Sequence, residues 1–125
     1  MPVLLLTSDP VGVRVARRFV RSVVDGVLDE EQLATVELLT SELVTNAVLH
    51  GQGDPVLAVE VDAHRVRVAV HDDTPTVPVV RNLGPLAPSG RGMQLIECLA
   101  ARWGVDPTSR GKDVWFELEI ALVTP

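Results

Sequence analysis

The sequence of 125 residues has one cysteine and no long apolar run. A single thiol, Cys98, excludes an internal disulfide and any metal site built from several thiolates of one chain, and we expect it to be a small apolar residue of a helix. Hydrophobic residues make up 46% of the chain but lie in short runs. None approaches the roughly 18 to 20 apolar residues that span a bilayer. Residues 1–6 lack a basic segment and a small-residue cleavage site, so they predict a strand and a cytoplasmic protein.

Basic charge is also scarce. The net charge is −6, and Lys112 is the only lysine. Proteins that bind duplex DNA normally carry a basic excess or a concentrated basic face, so we expect no direct contact with nucleic acid. The length fits one domain over residues 1–125.

Apolar periodicity predicts two helices in the first half of the chain. The first covers residues 10–25, with apolar side chains on one side and an arginine stripe on the other. The arginine stripe consists of Arg14, Arg17, Arg18 and Arg21. The second helix begins with the acidic turn Asp29-Glu30-Glu31 and runs to His50, with Gly51 at its end.

The rest of the chain reads as a hairpin, a loop, a helix and a strand. The predicted elements are strands over residues 55–62 and 65–72 with a turn at Ala63-His64, a loop over 74–89, a helix from Gly90 to Trp103 and a strand over 114–123. The loop holds four prolines and follows no period, so it is either a lid or a disordered segment. This order predicts an α+β two-layer sandwich, with helices on one face of a mixed, mostly antiparallel sheet.

Glu42 and Asn46 are the first candidate site residues. They lie four apart on the second helix, so their side chains emerge on one face, among apolar neighbours such as Leu38 and Leu49. A carboxylate and an amide on such a face need a partner. A hydrated Mg²⁺ with bound phosphates fits the amide oxygen, and Glu42 can act as a base. The alternative is a hydrogen-bonded pair on the helix surface.

Two further elements are weaker on their own. Gly90-Arg91-Gly92 opens a helix, where glycines allow a close approach and free amides favour phosphate, although many such starts bind nothing. Asp72 ends an apolar strand. Its carboxylate either caps a turn or accepts a hydrogen bond from the exocyclic amine of adenine.

Together these features resemble the histidine-kinase-like ATPases, whose ATP-binding domain has the Bergerat fold. The run over residues 41–51, SELVTNAVLHG, looks like the N box in the form typical of anti-sigma-factor kinases, and residues 111–118 look like the closing strand. The resemblance covers the chain from about residue 9 to residue 122.

The resemblance implies a role for each site residue. It places the Mg²⁺-binding asparagine on Asn46, the general base on Glu42 and the adenine-recognising aspartate on Asp72, which should then prefer adenine to guanine. Residues 74–89 take the place of the ATP lid. The predicted phosphate contacts are Gly90 and Gly92, which match the G2 box, together with Arg91 and Met93.

Two positions depart from the family pattern. Residues 72–76 contain no glycine, whereas the family has Asp-x-Gly-x-Gly there. Asp113 stands where the family has a threonine near adenine. A second anion beside Asp72 is expected to weaken nucleotide binding.

The implied function is that of a serine/threonine protein kinase that binds ATP and Mg²⁺, phosphorylates an anti-anti-sigma factor and sequesters a sigma factor. The alternative is a nucleotide-responsive module that binds partners without catalysis, which the glycine-poor segment favours. The arginine stripe predicts an acidic partner surface, either a sigma factor or a second copy of the chain in a homodimer, or else a solvated helix face. A helix-turn-helix DNA-binding motif that uses the arginine stripe is disfavoured by the net negative charge of the chain.

Overall fold

The computed structural model of the protein describes residues 1–74 and 91–120. In order, the elements of this part are β1 (Val3–Leu5), α1 (Pro10–Val23), α2 (Glu30–His50), β2 (Val56–Val61), β3 (Arg65–Asp72), α3 (Arg91–Leu99), β4 (Arg102–Thr108) and β5 (Gly111–Glu119). The helices cover one face of the sheet, which confirms the predicted α+β two-layer architecture. None of these helices is long and apolar enough to cross a membrane.

Local sequence sets where the first two helices begin. The Asp9 side chain accepts a hydrogen bond from the Gly12 amide at 3.0 Å, and Pro10 occupies the first turn, where its missing N–H costs no hydrogen bond. Asp29 and Gln32 form a reciprocal capping box at the start of α2. Both starts follow from short-range signals that the sequence displays.

The strands lie in the order β1-β2-β3-β5-β4, and every pairing among them is antiparallel. The expected mixed sheet therefore shows no parallel pair in the described part of the chain. The β2–β3 hairpin is confirmed. Its turn is held by the Asp62 side chain, which accepts hydrogen bonds from the amides of His64 and Arg65 at 2.7 and 2.9 Å. This contact compensates for the unfavoured turn residues Ala63 and His64.

The core lies between the helices and the inner face of the sheet. Side chains alternate along each strand, so Val66, Val68 and Val70 of β3 are buried against the helices. Phe116 of β5 pairs with Val68 across the sheet and is the largest fully buried side chain among the described residues. Burial of a phenylalanine of this kind contributes roughly 1.5 to 3 kcal/mol to folding.

The prediction was wrong about the segment after α3. The helix ends at Leu99, and Trp103 lies on β4, a strand that the sequence reading missed. The segment contains Gly104 and Pro107, which hide a strand period but are tolerated at a sheet edge. The closing strand covers residues 111–119 instead of 114–123, of which 121–123 lie outside the described residues. The predicted lid also lies outside them from residue 75 onwards.

The outer face of the sheet carries polar side chains. Glu117 is 3% exposed and receives hydrogen bonds from Arg102 at 3.0 Å and from Arg65 and Arg67 at 3.4 Å each. Burial opposes ionisation of Glu117, but the Arg102 hydrogen bond and the neighbouring guanidinium charges outweigh it and lower the pKa of the carboxyl. Arg67 also stacks over Trp115, with 4.2 Å to the ring centroid. Trp115 therefore belongs to the outer face and not to the core.

Candidate functional site

The second half of α2 positions Glu42 and Asn46. Both side chains are half-buried, one turn apart on the same face of the helix. The apolar surroundings differ from the expected wall, because Leu39 is buried in the core whereas Leu38 and Leu49 are exposed. Within residues 1–74 and 91–120 the structure shows no hydrogen bond or ion pair to the side chain of Glu42 or Asn46. The alternative prediction, a hydrogen-bonded pair of Glu42 and Asn46 on the helix surface, is therefore not observed.

Gly92 brings the start of α3 against Glu42. A Cβ added at Gly92 would lie 2.7 Å from the Glu42 Oε2 and 3.3 Å from its Cβ, so only glycine allows this approach without a shift. The helix begins at Arg91, and its first turn therefore lies beside the Glu42 carboxylate. The free amides of such a turn attract anions. Two segments far apart in sequence meet here, as the resemblance implies.

The structure gives different results for the other predicted phosphate contacts, Met93, Gly90 and Arg91. Met93 is 1% exposed and belongs to the hydrophobic core, so its side chain cannot reach a ligand and only its backbone can contribute. Gly90 lies outside the described residues. Arg91 is the first residue of α3, and its contact with the nucleotide stays a prediction.

Asp72 lies at the end of β3 and is 2% exposed. Its Oδ1 accepts a hydrogen bond from the Thr74 amide at 2.8 Å, which confirms the predicted turn cap. Gly51, at the end of α2, packs against the same side chain, since a Cβ added there would lie 3.0 Å from the Asp72 Cγ. The second half of α2 therefore runs from Glu42, beside α3, to Gly51, beside Asp72.

Lys112 is a residue of this region that the sequence reading missed. Its Nζ lies 3.3 Å from the Asp72 Oδ1 and donates a hydrogen bond to the Thr74 carbonyl oxygen at 3.2 Å. The ammonium is buried with the carboxylate, because Lys112 pairs with Asp72 in the register of β3 and β5. A signal was present in the sequence: Lys112 alternates with Val114 and Phe116, which face the core.

The expectation for Asp113 was wrong. Since side chains alternate along β5, Asp113 lies on the outer face, where its Oδ1 is 2.7 Å from the Nδ1 of His71. It therefore adds no anion beside Asp72. The charge next to Asp72 is the ammonium of Lys112, which has the opposite sign.

Thr74 supplies a further polar group beside Asp72. The residue is 5% exposed, and its Oγ1 is buried without a hydrogen-bond partner in the described part of the chain. A buried hydroxyl without a partner costs roughly 1 to 3 kcal/mol. A polar ligand atom or a water beside Asp72 would remove that cost.

These residues fit a magnesium nucleotide. The amide oxygen of Asn46, which has no partner in the described part of the chain, suits Mg²⁺, and the start of α3 suits phosphate. The buried carboxylate and hydroxyl at the other end suit the polar edge of a base. The fold and these residues together indicate the class of the protein, an α+β nucleotide-binding domain.

Comparison with known proteins gives the family. The family described as the histidine kinase-like ATPase domain matches residues 6–118, and the chain belongs to that family. Membership implies an ATP-binding, kinase-like domain, with which Mg²⁺ is usual. The resemblance found in the sequence is thereby confirmed at the level of the superfamily. No match was found among the curated proteins.

The fold has a counterpart among solved structures. The chain is similar to the histidine kinase domain of the blue-light activated histidine kinase from Erythrobacter litoralis EL346, with a TM-score of 0.52 and 21% sequence identity. The match covers 88% of this chain and 60% of that chain. Likeness at this identity supports the fold alone.

Proposed function

We propose that the protein is a serine/threonine protein kinase that transfers phosphate from ATP to an anti-anti-sigma factor and binds a sigma factor when that partner is absent. The observation that carries the proposal is the approach of Gly92 to Glu42, which sets a carboxylate beside a helix start, with Asn46 one turn away. The subtype, the acceptor and the sigma factor come from the N-box resemblance over residues 41–51. The likeness to the solved histidine kinase domain does not support the subtype, the acceptor or the sigma factor.

Each group has a role in the proposed transfer. Glu42 takes the proton from the acceptor hydroxyl as its oxygen attacks the γ-phosphorus, and the bond to the β-phosphate oxygen breaks so that ADP leaves. A bound Mg²⁺ would supply positive charge that neutralises the phosphate oxygens. Asn46 would hold that ion through its amide oxygen, and the first turn of α3 would hold phosphate oxygens. Asp72 would receive a hydrogen bond from the base.

Wild-type protein should be stabilised by Mg-ATP, and Asn46→Ala should lose most of that effect. Ligand at about 100 times its dissociation constant stabilises a fold by about 2.7 kcal/mol. Thermal unfolding with Mg-ATP, and with ATP plus a chelator, measures the shift. Thr35→Ala is the matched control, because it removes a polar side chain from the same helix about three turns before Asn46. Equal stabilisation of wild type and Asn46→Ala would remove Asn46 from the site.

A second function remains a candidate because residues 72–76 contain no glycine. In that case the domain binds nucleotide and partners but transfers no phosphate. The two functions separate in one assay with γ-labelled ATP and the cognate anti-anti-sigma factor. Transfer of label to a serine or threonine supports the kinase, whereas binding without transfer supports the non-catalytic module.

The arginine stripe is the proposed partner surface. All four arginines are exposed, and together with Glu37 they line a shallow depression of about 240 Å³ between α1 and α2. Of these four arginines, only Arg21 forms an ion pair in the described structure, with Glu37 at 3.5 Å. Like charges at helical spacing repel one another, so an acidic partner surface would reduce the electrostatic repulsion among these arginines.

Changing Arg14 and Arg17 together to Glu should slow partner association and flatten its salt dependence. Charge steering acts mainly on the association rate and is screened by salt. These two positions leave the Arg21–Glu37 pair intact. Stopped-flow association with the sigma factor at two salt concentrations is the measurement, with Arg110→Glu in the β4–β5 turn as a charge-change control. Kinetics that match the wild type would show that the stripe is a solvated face.

A further inference from the structure

The surface around β1 holds much of the exposed apolar area of the protein. Of the ten exposed large hydrophobic side chains in the described part of the chain, five lie within the first 15 residues. They are Met1, Val3, Leu5, Val11 and Val15, with exposed fractions between 39% and 74%. Large apolar patches are rare on monomeric proteins and mark interaction surfaces. The proposed kinase function uses none of these five residues.

The strand β1 lies at an edge of the sheet and has backbone groups available for pairing. In the described part of the chain it pairs only with β2. The Leu6 amide donates a hydrogen bond to the Pro55 carbonyl oxygen at 2.8 Å, on the β2 side. Backbone groups of successive strand residues point to alternate sides. The N–H and C=O groups of Val3 and Leu5 therefore point away from β2, to the free edge.

The two edges of the sheet differ in how they discourage pairing. The other edge, β4, carries Arg102 and Asp106, which both form ion pairs, and also Pro107. Charged side chains and proline at an edge oppose the addition of another strand. Residues 1–8 carry no charged side chain. Their one proline, Pro2, has its backbone on the β2 side, so it leaves the free edge open to a further strand.

The free edge is complementary to a second copy of itself. In an antiparallel pair of β1 strands with a two-fold axis at Leu4, Val3 of each copy lies opposite Leu5 of the other. Both residues direct their N–H and C=O groups to the free edge, so each such pair exchanges two hydrogen bonds. Side chains of opposite residues lie on the same face of a sheet, so Val3 and Leu5 of both copies would form one apolar cluster.

The helix α1 extends this surface on the other face of the sheet. It packs against α2 and β2, so it is the helix beside β1. A helix turns by about 100° per residue, which places Val11 and Val15 on a different side of α1 from Arg21, the residue that pairs with Glu37 of α2. Pairing of two three-residue strands is too small for a stable interface, which buries about 1,200 to 2,000 Å². Val11 and Val15 would supply further apolar area.

We propose that the protein forms a homodimer in which the β1 strands of two copies pair antiparallel across a two-fold axis at Leu4, so that the two sheets become continuous. Each copy presents the same patch, and such a contact closes at two copies. This inference depends neither on nucleotide binding nor on phosphoryl transfer.

The double variant Val3→Lys/Leu5→Lys should be monomeric where the wild type is a dimer. In the dimer each introduced lysine would lie opposite another, and like charges placed together in an interface cost several kcal/mol. The dissociation constant should therefore rise at least about 100-fold. Sedimentation equilibrium over a range of protein concentrations, without nucleotide, measures it. Leu99→Lys is the matched control, because it changes an exposed apolar side chain on α3 and should leave the dimer intact.

The double variant Val3→Lys/Leu5→Glu tests the register. Each introduced lysine lies opposite an introduced glutamate only if the strands pair antiparallel about Leu4, so this variant should dimerise at least about tenfold more tightly than the double lysine variant. Both wild-type side chains are more than half exposed, so the monomer should tolerate either pair of changes. Thermal unfolding and circular dichroism check that both variants are folded.

Three results would overturn this inference and leave the proposed function standing. The first is a wild type that stays monomeric at every concentration. If its binding to the sigma factor is then lost in the double lysine variant, the edge belongs to that partner instead. The second is a dimer that the two lysines do not weaken, because another surface then joins the copies. The third is a lysine–glutamate variant that dimerises no better than the double lysine variant.

Discussion

Glu42→Gln should reduce phosphoryl transfer about 10²-fold to 10⁴-fold while Mg-ATP binding stays intact, because general base catalysis contributes that much to rate. The amide keeps the size and shape of the side chain beside Gly92 but cannot take a proton from the acceptor hydroxyl. Single-turnover transfer of labelled γ-phosphate to the cognate anti-anti-sigma factor measures the rate, and calorimetry measures binding.

Glu37→Gln is the control for this substitution. It makes the same chemical change on the same helix, at a carboxylate that pairs with Arg21 instead of facing α3. Transfer should be unaffected in this variant. A Glu42→Gln protein that transfers phosphate at the wild-type rate would exclude Glu42 as the base, and the carboxylate would then serve only to position other groups.

Asp72→Ala should destabilise the fold by about 3 to 5 kcal/mol, in addition to weakening ATP binding, because it leaves a buried charge without its partner. The Lys112 Nζ lies 3.3 Å from the Asp72 Oδ1, and both groups are buried. Urea unfolding of the nucleotide-free protein measures the change in free energy.

The double variant Asp72→Ala/Lys112→Met tests the cause of that loss. Replacing both charged groups removes the isolated ammonium, so the double variant should be more stable than Asp72→Ala alone. The wild-type Asp72 also accepts a hydrogen bond from the Thr74 amide, and neither variant recovers that contact. If Asp72→Ala unfolds at the same urea concentration as wild type, the Asp72–Lys112 ion pair contributes nothing to the stability of the fold.

Short-range patterns were enough to locate most of the fold. The Asp9 and Asp29 caps, the apolar periods of α1 and α2 and the alternation of β3 all depend on residues within a few positions of one another. The sequence patterns did not predict strand β4, because an edge strand buries few side chains and tolerates Gly104 and Pro107. Its pairing with β5 is a tertiary fact that no local period records.

The candidate site shows the same division. The spacing of Glu42 and Asn46 determines by itself that the two side chains share a helix face, because an α-helix repeats every 3.6 residues. The N-box resemblance assigned them roles, and those roles stay predictions. The resemblance also placed Asp113 beside the base, whereas the register of β5 against β3 turned it towards His71 on the outer face.

By itself, then, the sequence determined the family, the class of fold and the helix that carries Glu42 and Asn46, since each depends on motifs or periods within one segment. Only the tertiary structure decided which groups from separate segments meet. It set Gly92 against Glu42, it turned Met93 into the core, and it brought the ammonium of Lys112 to Asp72, forty positions earlier in the chain. Contacts of this kind depend on strand register and on helix packing. A one-residue shift in register would send Lys112 to the opposite face of the sheet.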